Sequence, residues 1–345
     1  MGGDHGPPVV IPGIVRASDL LRERGARLIV HGDEAQIRPL LDKHPAAKAL
    51  CDVRHTDTVV AMDEKPAQAM RRGKGTSMWN AVELVKTGEA VAAVSAGNTG
   101  ALMAISKLLL RMAADLERPA IVASWPSLRG LTTVLDVGAN VDCDAERLVD
   151  FAIMGEAFHR AVHGVEQPTV GLLNVGSEDV KGHEEVREAH ALLREAGLAL
   201  NYKGFVEGND ISAGAVDVVV TDGFTGNVAL KTAEGTARFI GSEMRAAFNG
   251  NLMTKIGALI ASSALGVLRT RLDPNTVNGA PLLGLNGIVV KSHGGANDKG
   301  IASSLRVAVD LARSNFAEEI RANLQQLTQV LERGTPPGPA EAESR

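Results

Sequence analysis

A chain of 345 residues, 45% of them hydrophobic, can bury a large core, either as one large α/β domain or as two lobes. Its net charge of −5 and 3% aromatic content give no basic footprint or stacking surface for nucleic acid. Cys51 and Cys143 are too few for a disulfide framework or a cysteine-based zinc site. With no signal peptide and no apolar run of roughly 20 residues, the expectation is a cytoplasmic protein in a reducing compartment.

The chain opens on Met1-Gly-Gly-Asp-His-Gly-Pro7, which reads as a strand-to-helix loop with no strand before it and points to a start lying upstream. Helix Ile14–Arg24 and strand Leu28–Val30 follow, then helix Met78–Thr87, strand Val91–Val94 and helix Ala101–Met112. Strands Ala120–Ala123 and Leu131–Val137 lead to helix Ala145–Val162, strand Val170–Val175 and helix His183–Ala196. Strands Leu198–Phe205 and Val216–Val220, helix Ala229–Phe248 and strand Ile288–Lys291 complete the series. Several strands are apolar without alternation, as strands covered on both faces are. The alternation therefore predicts a three-layer α/β fold with a mostly parallel sheet between helices, in one catalytic domain over 1–333. The Pro/Gly/Ala/Glu-rich stretch 334–345 reads as a disordered tail.

Four of the strands run into loops of glycine, asparagine and small polar residues. These are Ser95-Ala-Gly-Asn-Thr-Gly100, Gly138-Ala-Asn-Val-Asp142, the stretch from Gly176 to Lys181-Gly182, and Thr221-Asp-Gly-Phe-Thr-Gly-Asn227. Converging on one side of a parallel sheet, they would offer main-chain N–H groups and small side chains to an anion. In the first loop Ser95, Asn98 and Thr99 can donate hydrogen bonds. In the last, the helix is expected to begin near Asn227, and Thr225 or Asn227 reads equally well as its cap. Lys181, at a loop-to-helix junction, is either a mobile charge for phosphate or an ordinary surface lysine. His293, in Lys291-Ser-His-Gly-Gly-Ala-Asn-Asp298, is either a base or anion donor or a residue that shapes its turn.

Dinucleotide, Walker, nucleophile-elbow and zinc-protease signatures are absent, and no nucleophile has a visible partner. His159 and His163 have metal-compatible spacing but read as a solvated helix face. The segment Leu252–Leu268 is strongly apolar, with Lys255 inside it and Arg269 and Arg271 just beyond. It reads either as an interfacial amphipathic element, in which Leu259 and Ile260 would be immersed, or as a buried or dimer-forming helix pair.

Taken together, Met1-Gly-Gly-Asp-His5, Ser95–Ala101, Asp136-Val-Gly-Ala-Asn140, Asp222–Leu230 and Gly279-Ala-Pro-Leu-Leu-Gly-Leu-Asn286 resemble the motifs of the bacterial phosphate acyltransferase family, PlsX, in family order. The likeness runs from Met1 to about Leu331. It implies a fold similar to the isocitrate and isopropylmalate dehydrogenases and the phosphotransacetylases. It implies reversible transfer of a fatty acyl group from acyl-acyl-carrier protein to inorganic phosphate, with no cofactor or metal. The acyl phosphate product would feed a membrane glycerol-3-phosphate acyltransferase in phospholipid synthesis, and the enzyme would be a homodimer. Carried over by motif, Lys181 and Asn227 are the expected catalytic residues. Ser95, Asn98, Thr99, Asn140, Asp222, Thr225 and His293 are the expected phosphate and substrate contacts. Lys255, Leu259, Ile260, Arg269 and Arg271 would meet the acidic carrier protein and the membrane surface. Three features depart from the family pattern: the absent first strand, His183 where asparagine is usual, and Thr76-Ser77-Met78 in place of Ser-Ser-Met.

Overall fold

A computed structural model describes residues 2–113, 116–195 and 198–334, with side chains as far as residue 325. Ten strands are present among the described residues. They are β1 (Leu28–Gly32), β2 (Cys51–His55), β3 (Ala92–Ser95), β4 (Ala120–Ser127), β5 (Gly130–Leu135), β6 (Thr169–Leu173), β7 (Asn201–Val206), β8 (Val218–Val220), β9 (Ala280–Leu283) and β10 (Ile288–Lys291). β1 and β2 form a small parallel pair, and the other eight form one sheet in the order β3-β10-β9-β4-β5-β8-β6-β7.

Alternate residues of single strands feed opposite faces of this sheet, as the period of two requires. Leu135, Val218, Val220, Leu283 and Val290 join one apolar cluster, built on the helices Ala145–His163, Glu184–Glu195 and Asp298–Arg313. Val134, Val219, Leu282 and Val289 join the other, under Ser77–Thr87 and Thr99–Leu110. The three-layer arrangement is thus written into adjacent residues. Phe151 and Phe158 of the helix Ala145–His163 are fully buried, and each burial contributes about 1.5–3 kcal/mol. Gly155 lets this helix approach the sheet: a Cβ there would lie 2.6 Å from a Leu135 methyl and 2.7 Å from one of Val218.

Most neighbouring strands are parallel, but β9 is antiparallel to both β10 and β4, and β4 is antiparallel to β5. The strands β3 and β10 therefore run opposite to β5, β8, β6 and β7. This corrects the expected convergence of four loops on one side. The loops after β5, β6 and β8 leave one edge of the sheet, and those after β3 and β10 leave the other.

Element boundaries shifted where caps decide them. The helix expected from Ala229 spans Gly223–Asn249, capped by Asp222, whose carboxylate accepts the Thr225 N–H at 2.8 Å. Neither Thr225 nor Asn227 is the cap. The helix expected from Ile14 begins at Pro7, where proline's fixed φ suits a first turn. His159 and His163 are not solvated: His159 is 2% exposed and hydrogen-bonds Thr133, and burial drives the pKa of His163 down to about 4. Of the expected tail, Gly334 closes the last helix, Phe316–Gly334, and 335–345 lie outside the described residues.

Candidate active site

The loop after β5 is organised by one carboxylate. Asp136 is fully buried and accepts the N–H groups of Ile121 (3.0 Å), Gly138 (3.2 Å), Ala139 (3.1 Å) and Asn140 (2.6 Å), together with the Asn140 amide at 2.8 Å. Burial pushes its pKa up, while these donors pull it back. The other amide proton of Asn140 goes to the Pro119 carbonyl, and Asn140 is 3% exposed. These bonds make Asn140 a brace of the loop.

The first turn of Gly223–Asn249 lies directly on this loop. A Cβ on Gly223 would stand 2.5 Å from the Asn140 carbonyl, and one on Gly226 would collide with the Asp136 carbonyl. These two glycines are therefore needed for helix-to-loop packing, whatever ligand approaches. The packing leaves Thr225 and Asn227 exposed at the helix start, with Asn227 against Gly138.

At the opposite edge, the Gly2–Asp4 segment is wedged between two loops. The Asp4 N–H bonds the Gly294 carbonyl at 3.0 Å. Gly3, with φ +77°, leaves a would-be Cβ 2.9 Å from Ala96 and 3.1 Å from the Gly294 oxygen. Ser95 and Lys291 pair across β3 and β10. Asn98 caps the helix Thr99–Leu110 through the Ala101 N–H, and its amide donates to the carbonyls of Met62 (2.8 Å) and Glu64 (2.9 Å). Both of its polar atoms are occupied, so the donor role expected of Asn98 gives way to a structural one. Ser95 accepts the Gly97 N–H at 3.2 Å, His293 Nδ1 accepts that of Gly295 at 3.1 Å, and Thr99 opens the helix at its N-terminal end.

Sequence reasoning assigned no role to Lys291, although it closes β10 in a glycine-rich turn. It is 8% exposed, and its ammonium donates to the carbonyls of Ser292 and, at 3.5 Å, Ala96. Burial pushes its pKa down to about 8; Asp4 raises it and Lys231 lowers it further. The helix Gly223–Asn249 thus runs back from the β8 edge to bring Lys231 near the β10 edge. At 3.6 residues per turn, Lys231 shares a face with Asn227. That proximity makes Asn227, Lys231, Lys291 and the β3 and β10 loops one candidate cleft.

The folded state releases the Lys291 proton near pH 8 and the unfolded chain near 10.5. Between those values the unfolded state binds more protons, so this residue's contribution to stability rises with pH; below pH 8 its penalty is constant. The melting temperature of Lys291→Met relative to wild type is expected to be highest below pH 8 and to fall by pH 10. A gap independent of pH would contradict the buried charge.

Lys181 stands apart from this cleft. It is half exposed, pairs with Glu178 at 2.8 Å, and its carbonyl accepts the Asn174 amide at 3.1 Å. No hydrogen bond joins it to Asn227 among the described residues. The Asn174 side of this loop instead lines a groove of about 810 Å³ against the other face of Gly223–Asn249, where Asp222, Thr225 and Val228 also lie. The two thiols are poor nucleophiles: burial lifts Cys51 to about 11 and Cys143 to about 12. No group of three or more His, Cys, Asp or Glu residues is placed to hold a metal among the described residues.

At the far end of the long helix, Leu252–Ile260 and Ser262–Arg271 form a bent pair, with 72° between Leu252–Ile260 and the segment from Ser262. Leu252, Met253, Leu259 and Ile260 are 74–81% exposed. No single described helix is long and apolar enough to cross a membrane. Arg271 donates to the Ser127 carbonyl at 3.0 Å and so is partly used within the chain, whereas Lys255 and Arg269 make no ion pair among the described residues.

A mixed, mostly parallel sheet between helix layers places the chain among three-layer α/β folds. Solved structures share this fold. A phosphotransacetylase from Streptococcus pyogenes matches with a TM-score of 0.56 and 18% identity, over 87% of this chain and 91% of that one. A branched-chain phosphotransacylase from Enterococcus faecalis matches with a TM-score of 0.53 and 15% identity, over 90% and 97%. Sequence goes further. Residues 1–319 match the model of the fatty acid synthesis protein family, the PlsX family, and the chain belongs to it. Proteins named phosphate acyltransferase from Caulobacter vibrioides and Phenylobacterium zucineum are 66% and 60% identical to it. These matches cover 99% and 97% of this chain and 95% of each relative. The chain is accordingly an acyltransferase of lipid synthesis.

Proposed function

We propose that the protein transfers a fatty acyl group reversibly from acyl-acyl-carrier protein to inorganic phosphate, giving acyl phosphate for phospholipid synthesis. The observation that carries this reading is the candidate cleft, which gathers lysines and main-chain donors and in which, among the described residues, no serine or cysteine is hydrogen-bonded to a histidine. Phosphate is then the nucleophile. One of its oxygens attacks the thioester carbonyl carbon, the C–S bond breaks, and the carrier thiolate leaves and takes up a proton. Lys181, which lies outside the cleft, reaches the phosphate in this reading only by movement of the 176–182 loop, exchanging Glu178 for phosphate and screening its charge as it approaches the carbonyl. Asn227, exposed at the helix start, orients the carbonyl or stabilises the developing oxyanion. Ser95, Thr99, Thr225 and His293 complete the cradle, Lys291 and Lys231 add positive charge, and Asn98, Asn140 and Asp222 hold its loops in place. Release of carrier thiol that depends on added phosphate tests this reading.

The acidic carrier would dock near Lys255 and Arg269, and the bent apolar pair would rest on the membrane surface, close to where a glycerol-3-phosphate acyltransferase uses the product. A cytoplasmic homodimer in peripheral contact with the bilayer fits this arrangement. Leu259→Glu places a charge where an exposed leucine would be immersed. Co-sedimentation with anionic vesicles is expected to drop several-fold relative to wild type, and equal binding would count against the segment.

A further inference from the structure

The groove of about 810 Å³ beside Gly223–Asn249 is apart from the cleft of lysines, and its lining is mostly apolar. At the helix start its walls carry Asn174, Asp222 and Thr225; at the far end they carry Ile240 and Leu272. From Thr225 to Ile240 is fifteen residues, about 22 Å of helix at 1.5 Å per residue. Between Val228 and Ile240 the helix residues lining it are small, Ala229, Thr232, Ala233, Thr236 and Ala237, so the floor leaves room for a ligand to lie along it. Val228 and Ile240 are about half exposed beside it, at 50% and 48%. The volume falls within the ordinary range of small-molecule pockets.

We infer that this groove receives the fatty acyl chain of the donor, thioester end at Asp222 and Thr225 and methyl end towards Ile240 and Leu272, with Ala233 and Ala237 setting the chain length accepted. This rests on the acyl-transfer reading above and names the part of the substrate that the cleft cannot hold. Two observations select an acyl chain over other occupants: a lining made mostly of apolar side chains, Leu172, Val186, Ile211, Val228 and Ile240 among them, and an end at Thr225 that lies two residues from Asn227. An acetyl group would fill only the first turn. A long chain buries its methylenes along the whole floor, at about 0.8 kcal/mol each.

The test uses the full chain with octanoyl-, dodecanoyl- and palmitoyl-acyl-carrier protein as donors, and the variants Ala237→Phe and Ala233→Phe. Ala237 is exposed and Ala233 partly so, and melting curves check that each variant folds. Ala237→Phe is expected to lower the palmitoyl-to-octanoyl ratio of kcat/KM at least tenfold, on the order expected when a pocket loses room for a few methylenes. Ala233→Phe, one turn nearer the reacting end, is expected to lower the dodecanoyl-to-octanoyl ratio as well. Ratios that stay constant in both variants would overturn the inference. So would sedimentation showing that either substitution splits a dimer, since the groove would then be a subunit contact. Direct binding of cis-parinaric acid, measured by fluorescence, separates this claim from the reaction. Binding that Ala237→Phe abolishes, in a protein inactive with every carrier donor, would keep the groove and discard the proposed reaction.

Discussion

Alanine at Asn227 or Lys181 is expected to lower kcat for phosphate-dependent acyl transfer by about 10²–10³-fold, the cost of removing one well-placed donor to a developing oxyanion. Neither change should unfold the protein. Asn227 is exposed and only leans on Gly138, and Lys181 is half exposed, with an ion pair to Glu178 as its side-chain partner. Exposed pairs of this kind contribute little to stability. Steady-state rates with saturating donor, beside melting curves of the same preparations, measure both effects. Near-normal turnover in Lys181→Ala would move the phosphate cation to Lys291 and Lys231, which already face one another across the cleft.

Asp136→Ala should give the largest loss of stability, about 3–5 kcal/mol, because five N–H groups converge on one buried carboxylate and would lose their acceptor together. Urea denaturation measures this as a lower midpoint with little change in slope. The same substitution should impair catalysis in whatever protein remains folded, because the 138–140 loop it releases is the surface against which Asn227 packs. A variant as stable as wild type would mean that the loop does not depend on Asp136.

Much of the core was legible because its strands are uninterrupted apolar runs between breakers. Val218–Val220 lies inside the expected strand Val216–Val220, and Thr169–Leu173 overlaps the expected Val170–Val175. What escaped had a physical reason. β2, Cys51-Asp-Val-Arg-His55, alternates charged residues with others in a small outer pair, and β9 carries Pro281, which reads as a breaker. Gly223 and Gly226 made the start of a helix look like loop, although they are required by close packing on Asp136 and Asn140. Strand direction leaves no local mark, so the antiparallel centre of the sheet, and with it the separation of the loops onto two edges, was invisible. The candidate residues were found by motif, yet their roles divided once neighbours were known. Asn98, Asn140 and Asp222 serve the loops, while Asn227 and Thr225 remain open to a ligand. Lys291 was passed over because nothing local to a lysine at a strand end says that it will be buried.

The central claim is tested most directly by incubating the purified protein with palmitoyl-acyl-carrier protein, with and without inorganic phosphate, and following free carrier thiol. The account predicts thiol release that requires phosphate, equals acyl phosphate formed, and does not occur with palmitoyl-coenzyme A as donor. Release that is indifferent to phosphate, or no release from any carrier-bound acyl group, would contradict it.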